Sequence, residues 1–181
     1  DGSLYSCGYN GFGQLGLGHK NNHFSFQRIA LPGNKKANII KCGDYCSLIL
    51  TEDGSVLTCG IYIDRQLGRE QGVSRVFSEV ALPAGKIVKG VACGDNFNVL
   101  LMQDGSVFGW GRNGHGQLGL GHEDDHATLT PIPLPPGQRC TKIACGCNFM
   151  VLLMESGELL GCGNNENGQL GLGHSDYQNT F

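Results

Sequence analysis

Charge is scarce in this sequence: 16% of its residues are Asp, Glu, Lys or Arg, and they sum to only -3. No basic stripe or acidic tail accompanies them, so nucleic acid is not expected as a direct partner. No apolar run approaches about 18 residues, which argues against membrane insertion. No stretch sustains a 3.6-residue apolar period, so almost no helix is expected. The nine cysteines are an odd number without a Cys-x-x-Cys pair. A secreted disulfide framework usually shows an even count in a shorter chain. Reduced thiols and an intracellular location are therefore expected, with the choice among cytoplasm, nucleus and cilium left open. No signal peptide is visible, although the first residue is Asp1 and not Met.

Glycine, by contrast, is abundant: 30 of 181 residues, where about 7% is usual. The glycines have a period. Gly13-Gln14-Leu15-Gly16-Leu17-Gly18-His19 recurs as Gly116 to His122 and as Gly168 to His174. A weakened copy, Arg65-Gln66-Leu67-Gly68-Arg69-Glu70, lies between the first two. The Gln-Leu-Gly steps begin at 14, 66, 117 and 169, so the spacings are 52, 51 and 52. Cys42-Gly43, Cys93-Gly94 and Cys145-Gly146 keep the same step, as do Leu31-Pro32, Leu82-Pro83 and Leu134-Pro135. A fixed period of this size marks a solenoid, propeller or array.

Each period reads as β-structure. Ser47-Leu48-Ile49-Leu50 and Val56-Leu57-Thr58-Cys59 flank Asp53-Gly54, a strong hairpin signal because both residues tolerate positive φ. The third period repeats this around Asp104-Gly105 and the fourth around Ser156-Gly157. Two shorter pieces, such as Arg28 to Leu31 and Asn38 to Lys41, complete the unit. Four short strands in about 50 residues make one blade of a β-propeller. Such a blade must stack on neighbours through both faces, which suits strands that are apolar runs. The repeated glycines are expected at positive-φ turns or close backbone approaches. The repeats run approximately 1–52, 53–103, 104–155 and 156–181, the last incomplete.

The pattern at Asp104, Gly105, Val107, Trp110, Gly111, Asn113, Gly116, Gln117, Leu118, Gly119, Leu120 and Gly121 resembles the regulator of chromosome condensation repeat. That resemblance spans the whole chain. It implies a seven-bladed propeller, of which this chain would supply about three and a half four-stranded blades. Two departures stand out. The family usually has His three residues after the Gly of its Cys-Gly step, where this chain has Cys46, Phe97 and Phe149. The family's Trp survives only as Trp110, with Cys7, Cys59 and Cys162 in the other copies. Both changes suit a packed interior. Two open end faces would expose on the order of 650 Å², more than the roughly 300–600 Å² patch of an ordinary monomer. Further blades, from the same chain or another, are expected to cover them.

Chemical motifs are few. Gly11 to Gly16 and Gly114 to Gly119 formally match GxGxxG, but no helix is expected to follow and present an N-terminus to a phosphate. Six of the nine cysteines sit in repeat columns, so small buried apolar residues explain them better than a metal site. His19, His122 and His174 correspond to Gln71 in the weakened copy and read as loop polarity. Trp110 occupies a repeat column and reads as packing, not photochemistry. No catalytic residues, cofactor or metal are expected, and no intrinsic enzymatic activity in this segment. The weakened copy is the most informative irregularity. Tyr62, Asp64, Arg65 and Arg69, with Arg112 and His115, form the candidate partner-binding loops.

The expected role is a protein-interaction scaffold that presents rim loops to partners. The resemblance implies partners such as a small GTPase, ubiquitin-ligase substrates, or ciliary and cytoskeletal proteins. It leaves two alternatives open: a guanine nucleotide exchange factor for a Ran-like GTPase, and a substrate-docking propeller of a large ubiquitin ligase. The archetypal exchange factor uses a protruding β-wedge and rim carboxylates. The repeat spacings leave no room for a wedge insertion in these blades.

Overall fold

In a computed structural model, described for residues 3–61, 67–68 and 74–181, the chain is all-β. Thirteen strands form four antiparallel sheets, and a 3-10 turn at Pro32–Asn34 is the one helical element among the described residues. The first sheet pairs β1 (Leu4–Gly8) with β2 (His23–Ile29). The second runs in the order β3 (Ala37–Cys42), β4 (Cys46–Thr51), β5 (Val56–Gly60), β6 (Ser74–Glu79). The third repeats it with β7 (Val88–Cys93), β8 (Phe97–Met102), β9 (Val107–Gly111) and β10 (His126–Ile132). The fourth has β11 (Cys140–Cys145), β12 (Phe149–Met154) and β13 (Leu159–Gly163), with a single bridge from Gly163 to Gln178. These sheets are blades of a partial propeller. Their frame is offset from the sequence repeat, because a period counted from the Asp-Gly turn begins in the middle of a sheet.

The central strands explain why the sheets stack. In β4 and β8 successive side chains point to opposite faces, and both faces are apolar. Leu48 and Leu50 join Val91, Leu100, Met102 and Trp110 in a core between the second and third blades. Ile49 points the other way, into a core with Leu4, Ile29, Leu57 and Phe77 between the first and second. Val99 and Leu101 meet Met150, Leu152 and Met154 between the third and fourth. Every core thus lies between two blades. Each fully buried Leu or Met in them contributes about 1.5–3 kcal/mol that an isolated sheet would forgo.

At the axis, β3, β7 and β11 lie side by side, and β7 contacts both of the others. The glycines of the Cys-Gly steps permit this approach. A Cβ on Gly43 would stand 2.5 Å from the Gly94 carbonyl oxygen, and one on Gly94 would stand 2.6 Å from that of Gly146. The outer strands are more polar. In β2 (HFSFQRI) only Ile29 is buried, and both phenylalanines, Phe24 and Phe26, are exposed.

The cysteine columns behave less uniformly than expected. All nine are free thiols; Cys46, Cys59, Cys140 and Cys162 are buried, but Cys7, Cys42 and Cys147 are exposed. Cys7 and Cys42 belong to the columns read as buried apolar residues. Cys7 lies in the two-stranded first sheet and Cys42 ends an inner strand at the axis, and neither is covered.

Candidate partner-binding rim

Two kinds of loop share one rim. The turns between first and second strands hold Gly43 to Tyr45, Gly94 to Asn96 and Gly146 to Asn148. The long loops that follow β1, β9 and β13 begin at Tyr9, Arg112 and Asn164. Backbone hydrogen bonds join the two kinds: Ile61 N donates to Tyr45 O at 3.1 Å, Arg112 N to Asn96 O at 2.9 Å, and Asn164 N to Asn148 O at 2.8 Å.

The long loops are built around a buried asparagine. Asn113 Oδ1 accepts from Leu118 N at 2.9 Å while its Nδ2 donates to His122 O at 2.7 Å. Asn10 does the same with Leu15 N and His19 O, and Asn165 with Leu170 N and His174 O. One side chain therefore ties both ends of the Gly-Gln-Leu-Gly-Leu-Gly turn. Gly116 and Gly119 sit at φ 69° and 66°, a region that strains any other residue. The glutamine beside them folds back. Gln14, Gln117 and Gln169 Oε1 each accept the backbone N–H two residues earlier, at 2.9–3.1 Å.

The same loops clasp the next blade. Gly18 N donates to Arg75 O at 2.8 Å, and Gly121 N to Asn179 O at 2.7 Å. From the other side, Cys59 Sγ reaches Gln14 O at 3.2 Å and Cys162 Sγ reaches Gln117 O at 3.3 Å. In the column that holds Trp in the family repeat, the thiols of Cys59 and Cys162 thus donate to the preceding blade's loop, while the third blade keeps Trp110. Burial holds the Cys162 thiol far above its usual range, so it donates as a neutral S–H group.

Of the six candidate residues, Tyr62, Asp64, Arg65 and Arg69 lie outside the described residues. Arg112 and His115 stand together on the loop of the third blade. The His115 ring meets the Tyr177 ring edge-on at 5.1 Å, and the Tyr177 hydroxyl donates to Glu166 Oε1 at 2.7 Å. Arg112 Nε passes 3.9 Å from where a Cβ on Gly114 would stand, so its side chain lies along the loop.

Sequence reasoning missed two further features of this rim. Tyr9, Phe12 and Tyr45 form a chain of edge-on contacts at 5.9 and 5.2 Å that crosses from the first blade to the second. Asp44 and Asp95 occupy matching turns, and burial together with the Asp44 charge raises the Asp95 carboxyl above its usual pKa. The Cys-Gly-Asp spacing at 42–44 and 93–95 was the available signal for that pair. Among the described residues no group of three or more His, Cys, Asp or Glu is placed to hold a metal ion. No helix among them is long and apolar enough to cross a membrane.

Radial antiparallel blades clasped by Gly-Gln-Leu-Gly loops define a repeat propeller, and comparison with known proteins shows which kind. The regulator of chromosome condensation (RCC1) repeat matches residues 1–50 and 104–153, and a second model of that repeat matches 88–117 and 140–169. The chain belongs to the RCC1 repeat family. It is 34% identical over 176 residues to the Drosophila melanogaster regulator of chromosome condensation, covering 94% of this chain and 31% of that protein. It is 27% identical over 176 residues to the Arabidopsis thaliana ultraviolet-B receptor UVR8, covering 97% of this chain and 40% of the receptor. The crystal structure of human WBSCR16 matches with a TM-score of 0.88 at 27% identity, over 99% of this chain and 47% of that one. Yeast RCC1 (Prp20), solved bound to Kap60, matches in fold with a TM-score of 0.85 at 19% identity, over 99% and 44%. The chain thus spans less than half the length of these relatives.

Proposed function

We propose that this chain is part of a protein-interaction scaffold that binds partner proteins through the rim carrying the asparagine-tied loops. The observation that carries this reading is the contrast within each loop. A buried Asn and positive-φ glycines fix the backbone, while the residue just before that Asn differs from copy to copy: Tyr9, Arg112 and Asn164. A rigid frame whose tips differ in chemistry is how loops on a scaffold carry recognition. Residues Tyr62, Asp64, Arg65, Arg69, Arg112 and His115 are the proposed contact set, and the end sheets are proposed to seat further blades. Affinity purification from cells, comparing the native protein with an Asp64→Ala, Arg65→Ala, Arg69→Ala variant and an Arg112→Ala, His115→Ala variant, tests this. Loss of defined partners from either variant is expected. An unchanged partner set from both would overturn it.

A second reading, nucleotide exchange on a Ran-like GTPase, is favoured by the paired rim carboxylates Asp44 and Asp95. Prp20p from Saccharomyces cerevisiae, which shares this fold, has binding properties to Gsp1p and histones. A nucleotide-release assay with Ran, native against Asp44→Asn and Asp95→Asn, separates the two readings. Release accelerated by the native protein and lost in the variants supports exchange, and no acceleration removes it. A docking role within a large ubiquitin ligase stands as a third proposal, drawn from the resemblance alone.

A further inference from the structure

The third-blade loop lacks an acceptor that its sister loop possesses. In the fourth blade Asn164 Oδ1 accepts from Gln169 Nε2 at 2.5 Å and from Glu166 N at 3.2 Å. The corresponding residues of the third blade are Arg112, Gln117 and Gly114. Arginine has no acceptor to offer. Gln117 is 0% exposed, and its Nε2 has no hydrogen-bond partner. The amide cannot turn over to escape this, because its Oε1 is held by His115 N at 2.9 Å. Among the described residues the Gly114 N–H also has no acceptor, His115 Nδ1 is buried without a partner, and no ion pair includes Arg112. A buried unpaired amide is a standing cost that native structures rarely carry without a use.

We propose that Arg112, Gln117 and Gly114 form a carboxylate-binding site for an Asp or Glu side chain of a partner protein. The inference rests on the scaffold reading above and supplies its chemistry. One carboxylate oxygen takes the place that Asn164 Oδ1 fills in the sister loop, accepting from Gln117 Nε2 and Gly114 N. The other accepts from the Arg112 guanidinium, which lies along the loop over Gly114 and swings onto the incoming anion. Charge-assisted bonds of this kind are the strong ones, and a planar two-oxygen acceptor matches the guanidinium fork. Glu166 feels His115 but does not take this role, because its carboxylate is held by the Tyr177 hydroxyl. The His115 ring, braced by Tyr177, walls one side.

The test uses the full chain and 1H–15N spectra of the Gln117 side-chain amide. Acetate and acetyl-Gly-Glu-Gly-amide are titrated against acetyl-Gly-Gln-Gly-amide and inorganic phosphate. The Gln117 amide pair is expected to shift with the first two and not with the glutamine peptide. Arg112→Asn, which recreates the internal acceptor, is expected to weaken the glutamate peptide by about tenfold or more and to raise the melting temperature. Arg112→Ala should weaken binding without that gain. A response to phosphate alone, or equal peptide binding by native and Arg112→Asn proteins, would overturn the site. Partner loss in the loop-variant purifications would still stand in that case, so the two readings fail separately.

Discussion

Strands β8 and β12 read almost alike, FNVLLM and FMVLLM, yet every residue of β8 is buried while β12 alternates between buried and half-exposed. Their partners diverge further: β9 is buried throughout, whereas Leu159 of β13 is 67% exposed. Among the described residues the third blade has a neighbour on each face and the fourth has one. The Gly-Gln-Leu-Gly loops repeat the lesson. Cβ atoms on Gly116 and Gly119 would collide with Asn179 and Phe181, but Gly168, Gly171 and Gly173 have nothing within 4 Å. Identical sequence at matching φ thus serves a clasp in one place and faces open space in the other. Among the described residues no strand packs against the fourth-blade loop.

The largest expected effect breaks this comparison directly. Gly116→Ala and Gly168→Ala share the cost of a side chain at φ near 70°, about 1 kcal/mol. Only the first also meets the backbone of Asn179, at 2.6 Å. It should lose about 1–3 kcal/mol more in denaturant unfolding, and equal losses would mean that the clasp contributes nothing. A smaller difference separates the asparagines. Asn113→Ala leaves Leu118 N and His122 O without a partner inside a clasped loop, at about 1–3 kcal/mol. Asn165→Ala breaks the same bonds in an unclasped loop and should cost less in the same assay.

The smallest effect concerns the opposite rim, where Lys35 Nζ pins the β4–β5 turn through Asp53 at 2.6 Å and also meets Glu79, the last residue of β6, at 3.1 Å. Lys86 grips Asp104 likewise, but Gln138 meets Glu158 at 3.5 Å without a charge of its own. Lys35 holds the Asp53 carboxyl well below the usual carboxylate range, and Asp53 raises Lys35 in return. A depressed carboxyl contributes stability above its unfolded pKa, near 4, and loses it as pH falls through the folded value. The raised lysine contributes below its unfolded value of 10.5 and loses that contribution as pH rises through the folded one. Asp53→Asn should therefore flatten the acid limb of a pH–melting profile, while Glu158→Gln should hardly change it.

Much of this was legible in the sequence. The period, the Asp-Gly hairpins around 53 and 104, and the two-faced strands announced stacked blades, because β4 and β8 carry apolar residues in both alternating sets. The sheet frame was not legible, since a circular repeat has no natural starting point. Nor was the bond from Cys59 Sγ to Gln14 O, which joins residues 45 apart and exists only once two blades are neighbours. The asparagine was legible as part of the repeat pattern, at Asn113 with Asn10 and Asn165 as its counterparts and Tyr62 in the weakened copy, but its tying bonds were not. The missing acceptor beside Gln117 shows only when one loop is laid over its sister, atom by atom.

Hydrogen exchange at three equivalent amides in the 181-residue chain tests the clasp most directly. Gly18 N and Gly121 N, bonded to Arg75 O and Asn179 O across a blade boundary, should be protected, and Gly173 N should exchange quickly. Equal protection at all three sites would contradict the account.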